Sequence, residues 1–341
     1  MKLINILSVL AVGALMASCE NLTVTFPDYE GGTSVYFAYQ YPVRTLILGN
    51  STTTPVDNDR KCIIYGAMGG AYKGKDITVD IKVDNTLTDN LYFPDGSVVQ
   101  PMPAEYYTLG SDKLIYGGDY MGGVEVQFTD AFFADPKALK NTYVIPLMMT
   151  GVKGADRILA GTPLIEGDKP AHTNSEYWSV QPKDYVLYCV KFINPWHATY
   201  LRRGVDVITE NGKTTTVVRH TGDVEKNEVC KMTTSGLKQT LYPVTTTVAS
   251  TQAKLACDLL LTFNDKNECV ITSATAGYTA SGSGKFVEAG EKKSFGNKDR
   301  DVMYLEYNID FGAQKYATKD TLVVQTRGVV AEWFTPTYKA N

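Results

Sequence analysis

The side chains in this sequence best suited to a stacking contact with a ligand are its three indoles, Trp178, Trp196 and Trp333. A large flat ring with an N–H at its edge, set beside amides or carboxylates, makes a platform for a ligand that has both apolar faces and polar groups. Trp178, in "NSEYWSVQ", and Trp333, in "AEWFTPTY", lie outside regular strand patterning and are the leading platform candidates. The tyrosine-rich stretches "FAYQYP" and "PAEYYTLGSD" are weaker ones. Trp196 sits in the denser run "VKFINPWHATYLRRG", beside His197 and just ahead of Arg202 and Arg203. Asn194-Pro195 favours a bend there. A guanidinium stacked on the indole would close one end of a barrel. Closure is therefore the first reading of Trp196, Arg202 and Arg203, and ligand contact the second.

Other chemistry does not assemble. Three histidines, His172, His197 and His220, are too few and too scattered for a metal triad, so neither a metal nor another cofactor is expected. No G-x-S-x-G elbow occurs. "SGSGK", Ser281 to Lys285, has Thr279 where a phosphate loop needs Gly and Phe286 where it needs Ser or Thr; it reads as a flexible turn. "NKDRD" and "FNDKNE" do not fit calcium-loop spacing. No catalytic residue is assigned, and an enzyme is not expected. A net charge of −4 with mixed signs leaves no nucleic-acid footprint.

The elements that must position the indoles follow a leader. "MKLINILSVLAVGALMASCE" has a basic start, an apolar run and small residues before Cys19, and "LMASC" resembles the bacterial lipobox. Residues 1–18 would be removed, and acyl chains on Cys19 would anchor the protein at about 0.8 kcal/mol per buried methylene. Export to an oxidising compartment leaves five further cysteines, an odd number, so at least one thiol stays free. Small buried core residues is their simplest reading. Bridges Cys189–Cys230 or Cys257–Cys269 stay open.

The rest reads as all-β in two blocks. Residues 19–175 carry period-two strands such as "DITVDIKVD", with Ile77, Val79, Ile81 and Val83 on one face and Asp76, Asp80 and Asp84 on the other. "GVEVQFTD" alternates likewise, whereas "SVYFAYQ" and "NTYVIPLMMTGV" look buried on both faces. Gly and Pro turns between short strands describe a β-sandwich, with a short helix near Asp135 to Lys140. After a polar linker, Gly161 to Asp184, residues 176–341 show longer strands. These begin at "YVLYCVKF" and include an Asn211-Gly212 hairpin. About eight sequential antiparallel strands suit an up-and-down barrel, with a second sandwich as the alternative.

"FPDYEGGTSVYFAYQYPVRTLILG" and "NTYVIPLMMTGVKGADRIL" resemble a domain of surface lipoproteins from Bacteroides-type glycan-utilisation loci. "KDYVLYCVKFINPWHATYLRRGVDV" is similar to the opening of the calycin-like domain that often follows it. The resemblance implies an outer-membrane lipoprotein at the cell surface that binds glycans for a porin–lid uptake complex without cutting them. The same N-terminal domain also precedes family-18 glycosidases, whose D-x-x-D-x-D-x-E strand is absent here. An adhesin or structural lipoprotein binding a protein partner is the alternative.

Overall fold

The protein is described here from a computed structural model, which covers residues 28–49 and 54–339. Cys19 lies outside them. No helix among the described residues is long and apolar enough to cross a membrane.

The first domain is one curled sheet. Its strands run in the order Arg157–Ile158, Ser34–Tyr36, Lys61–Gly69, Met121–Phe128, Lys113–Ile115, Thr78–Val83, Tyr143–Lys153, Tyr185–Ile193, Pro42–Ile47 and Glu332–Trp333. Alternation drives the curl. Val35, Ile64 and Val126 from one half share a core with Val79, Ile145, Leu46 and Val190 from the other, as in a sandwich. Tyr143–Lys153 is buried on both faces for a definite reason. Ile145, Leu147 and Met149 enter that core, while Val144 and Met148 face a second one with Leu91, Phe93, Leu187 and Phe334. The expected short helix is a 3₁₀ turn, Pro136–Leu139, preceded by an α-turn at Asp130–Ala134.

The second domain is a closed antiparallel barrel of eight strands: Ala198–Glu210, Glu228–Gly236, Gln239–Thr247, Lys254–Phe263, Glu268–Ser273, Thr279–Glu291, Arg300–Asp310 and Gln314–Thr326. Pairing of Thr199–Glu210 with Gln314–Thr326 closes it. Asn211 and Gly212 both take positive φ, 50° and 75°, as the hairpin turn requires. The strand they lead to, Lys213–Arg219, pairs with Gly204–Glu210 and stands outside the ring.

Two sequence expectations fail. "SGSGK" is no flexible turn but the middle of the strand Thr279–Glu291. Its glycines mark close approach: a Cβ on Gly282 would lie 2.4 Å from the Glu306 carbonyl oxygen, and one on Gly284 would lie 2.3 Å from Leu305. "YVLYCVKF" does not open the barrel. Tyr185–Ile193 runs antiparallel to Tyr143–Lys153 and parallel to Pro42–Ile47, inside the first sheet. The seam therefore lies at Asn194 to His197 and not near residue 176. The chain also returns: Glu332–Trp333 pairs with Pro42–Val43, and Thr337–Tyr338 pairs with Leu91–Tyr92. A cut at residue 176 would remove one central strand and two closing segments from the first domain.

Candidate functional site

Trp196 has no face to offer a ligand. It is 4% exposed and lies parallel to Phe263, with ring centroids 3.7 Å apart and planes 8° from coincident. This overturns its assignment as a ligand contact, and it also replaces the expected partner. No guanidinium covers the indole, because Arg202 turns into the barrel and Arg203 bonds Glu291 at 2.7 Å. The bend that carries Trp196 is held by Asn194, fully buried, whose Nδ2 donates to the carbonyls of Gly236 and Gln239 while its Oδ1 accepts from the Trp196 N–H.

His197 is equally structural. Its Nδ1 accepts the backbone N–H of Thr234 at 3.1 Å, and burial lowers its pKa from 6.5 to about 4. A neutral imidazole whose lone pair is already used by a backbone amide is a poor proton acceptor.

Inside the barrel, alternation brings Arg202, Asp206, Thr318, Asp320, Tyr242, Tyr307 and Tyr316 together. Arg202 Nε donates to both oxygens of Asp320, and its Nη2 donates to the Tyr307 and Tyr316 hydroxyls. Arg219 donates to Asp206 and Asp320. Burial opposes the Asp206 charge, yet hydrogen bonds from Arg219 and Thr318 hold its pKa below the usual value. Two arginines facing two aspartates balance the charge of the cluster and brace four strands and the outlying hairpin against one another. Among the described residues no group of three His, Cys, Asp or Glu side chains could hold a metal ion. The cysteines at 62, 189, 230, 257 and 269 are all free, so neither open disulfide pairing forms.

Most of the exposed aromatic rings among the described residues lie on the first domain, Tyr304 of the barrel being an exception. Edge pairing of Pro42 with Trp333 fixes the tail, and alternation then sends Phe334 inward and Trp333 outward. Phe334 packs against Tyr41 at 5.4 Å. Trp333, 53% exposed, stands beside Tyr39, 62% exposed, with centroids 5.5 Å apart and planes at 46°. The two rings form a splayed, open platform. On the other face of the same segment, the face of Phe334, Glu332 accepts from Lys191 Nζ at 2.6 Å and Asn141 Nδ2 at 2.9 Å and so fastens the tail. Partial burial opposes its charge, but those two donors keep its pKa below the ordinary carboxylate value.

Trp178 occupies a different edge. It begins the strand Trp178–Val180, which pairs with Thr162–Pro163, so the presumed linker carries structure of its own. The half-buried indole donates its N–H to the Ala171 carbonyl at 3.0 Å and packs on His172 at 5.3 Å. The structure thus separates the three predicted indoles: Trp196 in the barrel core, Trp178 and Trp333 on the first domain. Tyr39 was legible in "FAYQYP". Glu332 was not, because only the return of the tail brings it to Lys191 and Asn141.

Residues 195–328 match the model of a domain of unknown function (DUF5627), and residues 29–156 match a model described only as an N-terminal domain. No curated protein matches the chain. The structure of a protein of unknown function from Bacteroides ovatus is 43% identical, covering 92% of this chain and 100% of that one, with a TM-score of 0.86. An auxiliary nutrient binding protein from Bacteroides thetaiotaomicron is 12% identical over 83% of this chain and 90% of that one; its TM-score of 0.33 carries no argument.

Proposed function

Since this chain belongs to the family of that Bacteroides ovatus protein of unknown function, we propose a role from the site itself: a non-catalytic, carbohydrate-binding accessory lipoprotein. In this reading Cys19 carries the lipid anchor, and the protein works at the outer-membrane surface beside a porin–lid uptake complex. The observation that carries it is the Tyr39–Trp333 platform. Two large rings that a fold could have buried are left facing solvent, 5.5 Å apart and splayed by 46°, an opening that suits the face of a sugar ring. Trp178 serves as a second aromatic edge on the same domain.

Binding to such an open surface is weak and insensitive to salt, because neutral sugars release no counterions. The test is a panel of neutral oligosaccharides titrated against the soluble protein starting at residue 20, with Trp333→Ala and Tyr39→Ala beside it. Loss of one ring–sugar contact of about 1 kcal/mol lowers affinity by roughly five- to tenfold in each variant. Both rings are exposed, so the melting temperature stays close to that of the parent. Unchanged affinity in both variants, or cleavage of the oligosaccharides by the parent protein, refutes the proposal.

A further inference from the structure

The first domain also holds a cleft of about 680 Å³ between the strand Thr78–Val83, the loop ahead of Trp178 and the returning tail at Tyr338. Asp184 lies against it. The side chain of Asp184 is 8% exposed; its Oδ2 meets His172 Nε2 at 3.3 Å, and its Oδ1 is buried with no hydrogen-bond partner. A carboxylate oxygen taken from water without a donor in return costs free energy that a hydroxyl donated from the cleft would recover. The position itself is well fixed, because the Asp184 carbonyl accepts the Met149 N–H at 2.7 Å as the central strand begins.

The surrounding groups narrow what can fill the missing contact. Asp84 and Asp89 line the cleft with Asp184, which disfavours a phosphate or other small anion. The carboxylates and His172 do not converge on a metal position. Lys82, paired with Asp84 at 2.9 Å, and Lys169 offset two of the three carboxylates, so the cleft offers an organic cation little net charge. What remains is a ligand that both donates and accepts hydrogen bonds without net charge. Thr86 and Thr150 add hydroxyls to that set, and Tyr338 and His172 add ring surface.

We infer that this cleft is a second carbohydrate subsite, taking a single neutral, hydroxyl-rich sugar unit whose hydroxyl donates to Asp184 Oδ1. It rests on the carbohydrate reading of the Tyr39–Trp333 platform in substrate class only, since the two sites share no residue. The subsite holds a chain end or a branch residue, where the platform holds an extended chain.

The experiment is calorimetric titration of the soluble protein with glucose, galactose and mannose, with glucosamine as the cationic and glucuronate as the anionic control. Asp184→Asn is titrated in parallel. At least one neutral hexose binds the parent, and Asp184→Asn weakens that binding roughly tenfold or more, the effect of losing a hydrogen bond to a charged group. The melting temperature of Asp184→Asn is equal to or above that of the parent, because the amide keeps an oxygen for His172 and removes a buried carboxylate oxygen that has no donor; a purely structural carboxylate would lower it. Stronger binding of either charged control than of every neutral hexose overturns the inference, as does hexose binding that Asp184→Asn leaves unchanged. Absence of hexose binding alongside oligosaccharide binding that Trp333→Ala abolishes refutes the cleft and leaves the platform standing. Hexose binding lost in Asp184→Asn, with oligosaccharide binding indifferent to Trp333→Ala, supports the cleft and removes the platform.

Discussion

Replacing Trp196 by alanine tests whether the stretch that looks most like an active site is in fact a core. Burying an indole removes on the order of 200 Å² of ring surface from water, worth about 5 kcal/mol at roughly 25 cal/mol per Å². The parallel stack on Phe263 adds about 1 kcal/mol. Against this stands the indole N–H, which is buried without a partner and costs the parent about 1–3 kcal/mol. The difference, roughly 3–5 kcal/mol, agrees with the usual cost of emptying a Trp site. In a domain of this size that lowers the melting temperature by about 10–15 °C. Trp196→Phe separates the components, because it keeps a ring against Phe263 and deletes the unpaired donor. It loses less than half as much as the alanine variant. Differential scanning calorimetry with oligosaccharide titration gives both readouts. An alanine variant that melts with the parent but no longer binds ligand would refute the assignment of Trp196 to the core.

Two further expectations concern acid and the membrane. The pKa of His197 is depressed in the fold, about 4 against an ordinary 6.5, so the unfolded chain binds the proton first. Its contribution is intact above pH about 6.5 and is lost as pH falls towards 4, roughly 1–2 kcal/mol after discounting for solvent screening of a half-buried ring. His197→Asn keeps an acceptor for the Thr234 N–H and flattens that part of a denaturation-against-pH curve; an unchanged slope counts against this origin. Cys19→Ala moves the protein from the membrane to the soluble fraction of fractionated cells, because no other anchoring apolar area is assigned to it. Retention in the membrane fraction would remove the lipid anchor from the proposal.

Strand periodicity made most of the architecture legible. Ile77, Val79 and Ile81 point inward as their spacing demands, and Asn211-Gly212 turns as its dipeptide demands. The errors arise where long-range pairing outranks local chemistry. "SGSGK" carries turn residues, yet Leu305 and Tyr307 on the neighbouring strand fill the space above its glycines and make it a strand. "YVLYCVKF" is apolar on both faces, a pattern that suits either domain, and only its pairing with Tyr143–Lys153 decides between them. The site divides in the same way. Trp333 and Tyr39 could each be found as aromatics outside regular patterning, but their adjacency could not, because it depends on an edge pairing between distant segments. Asp184 gave no signal at all. An aspartate before a strand looks like any other, and its unpaired oxygen exists only in three dimensions.

The return of the tail has a consequence for how the protein comes into being. The barrel is spliced into the first domain as a loop is, entering after Ile193 and leaving at Arg327, whose Nη2 staples both junctions by donating to the carbonyls of Asn194 and Leu48. The Pro42–Trp333 pairing joins residues separated by most of the chain, and such contacts form late because loop closure must come first. A growing chain can therefore complete the barrel while its aromatic platform is still missing half its rings. On the proposed reading, binding at the platform arrives only with Trp333, so a polypeptide clipped ahead of residue 332 would keep the barrel and lose that site.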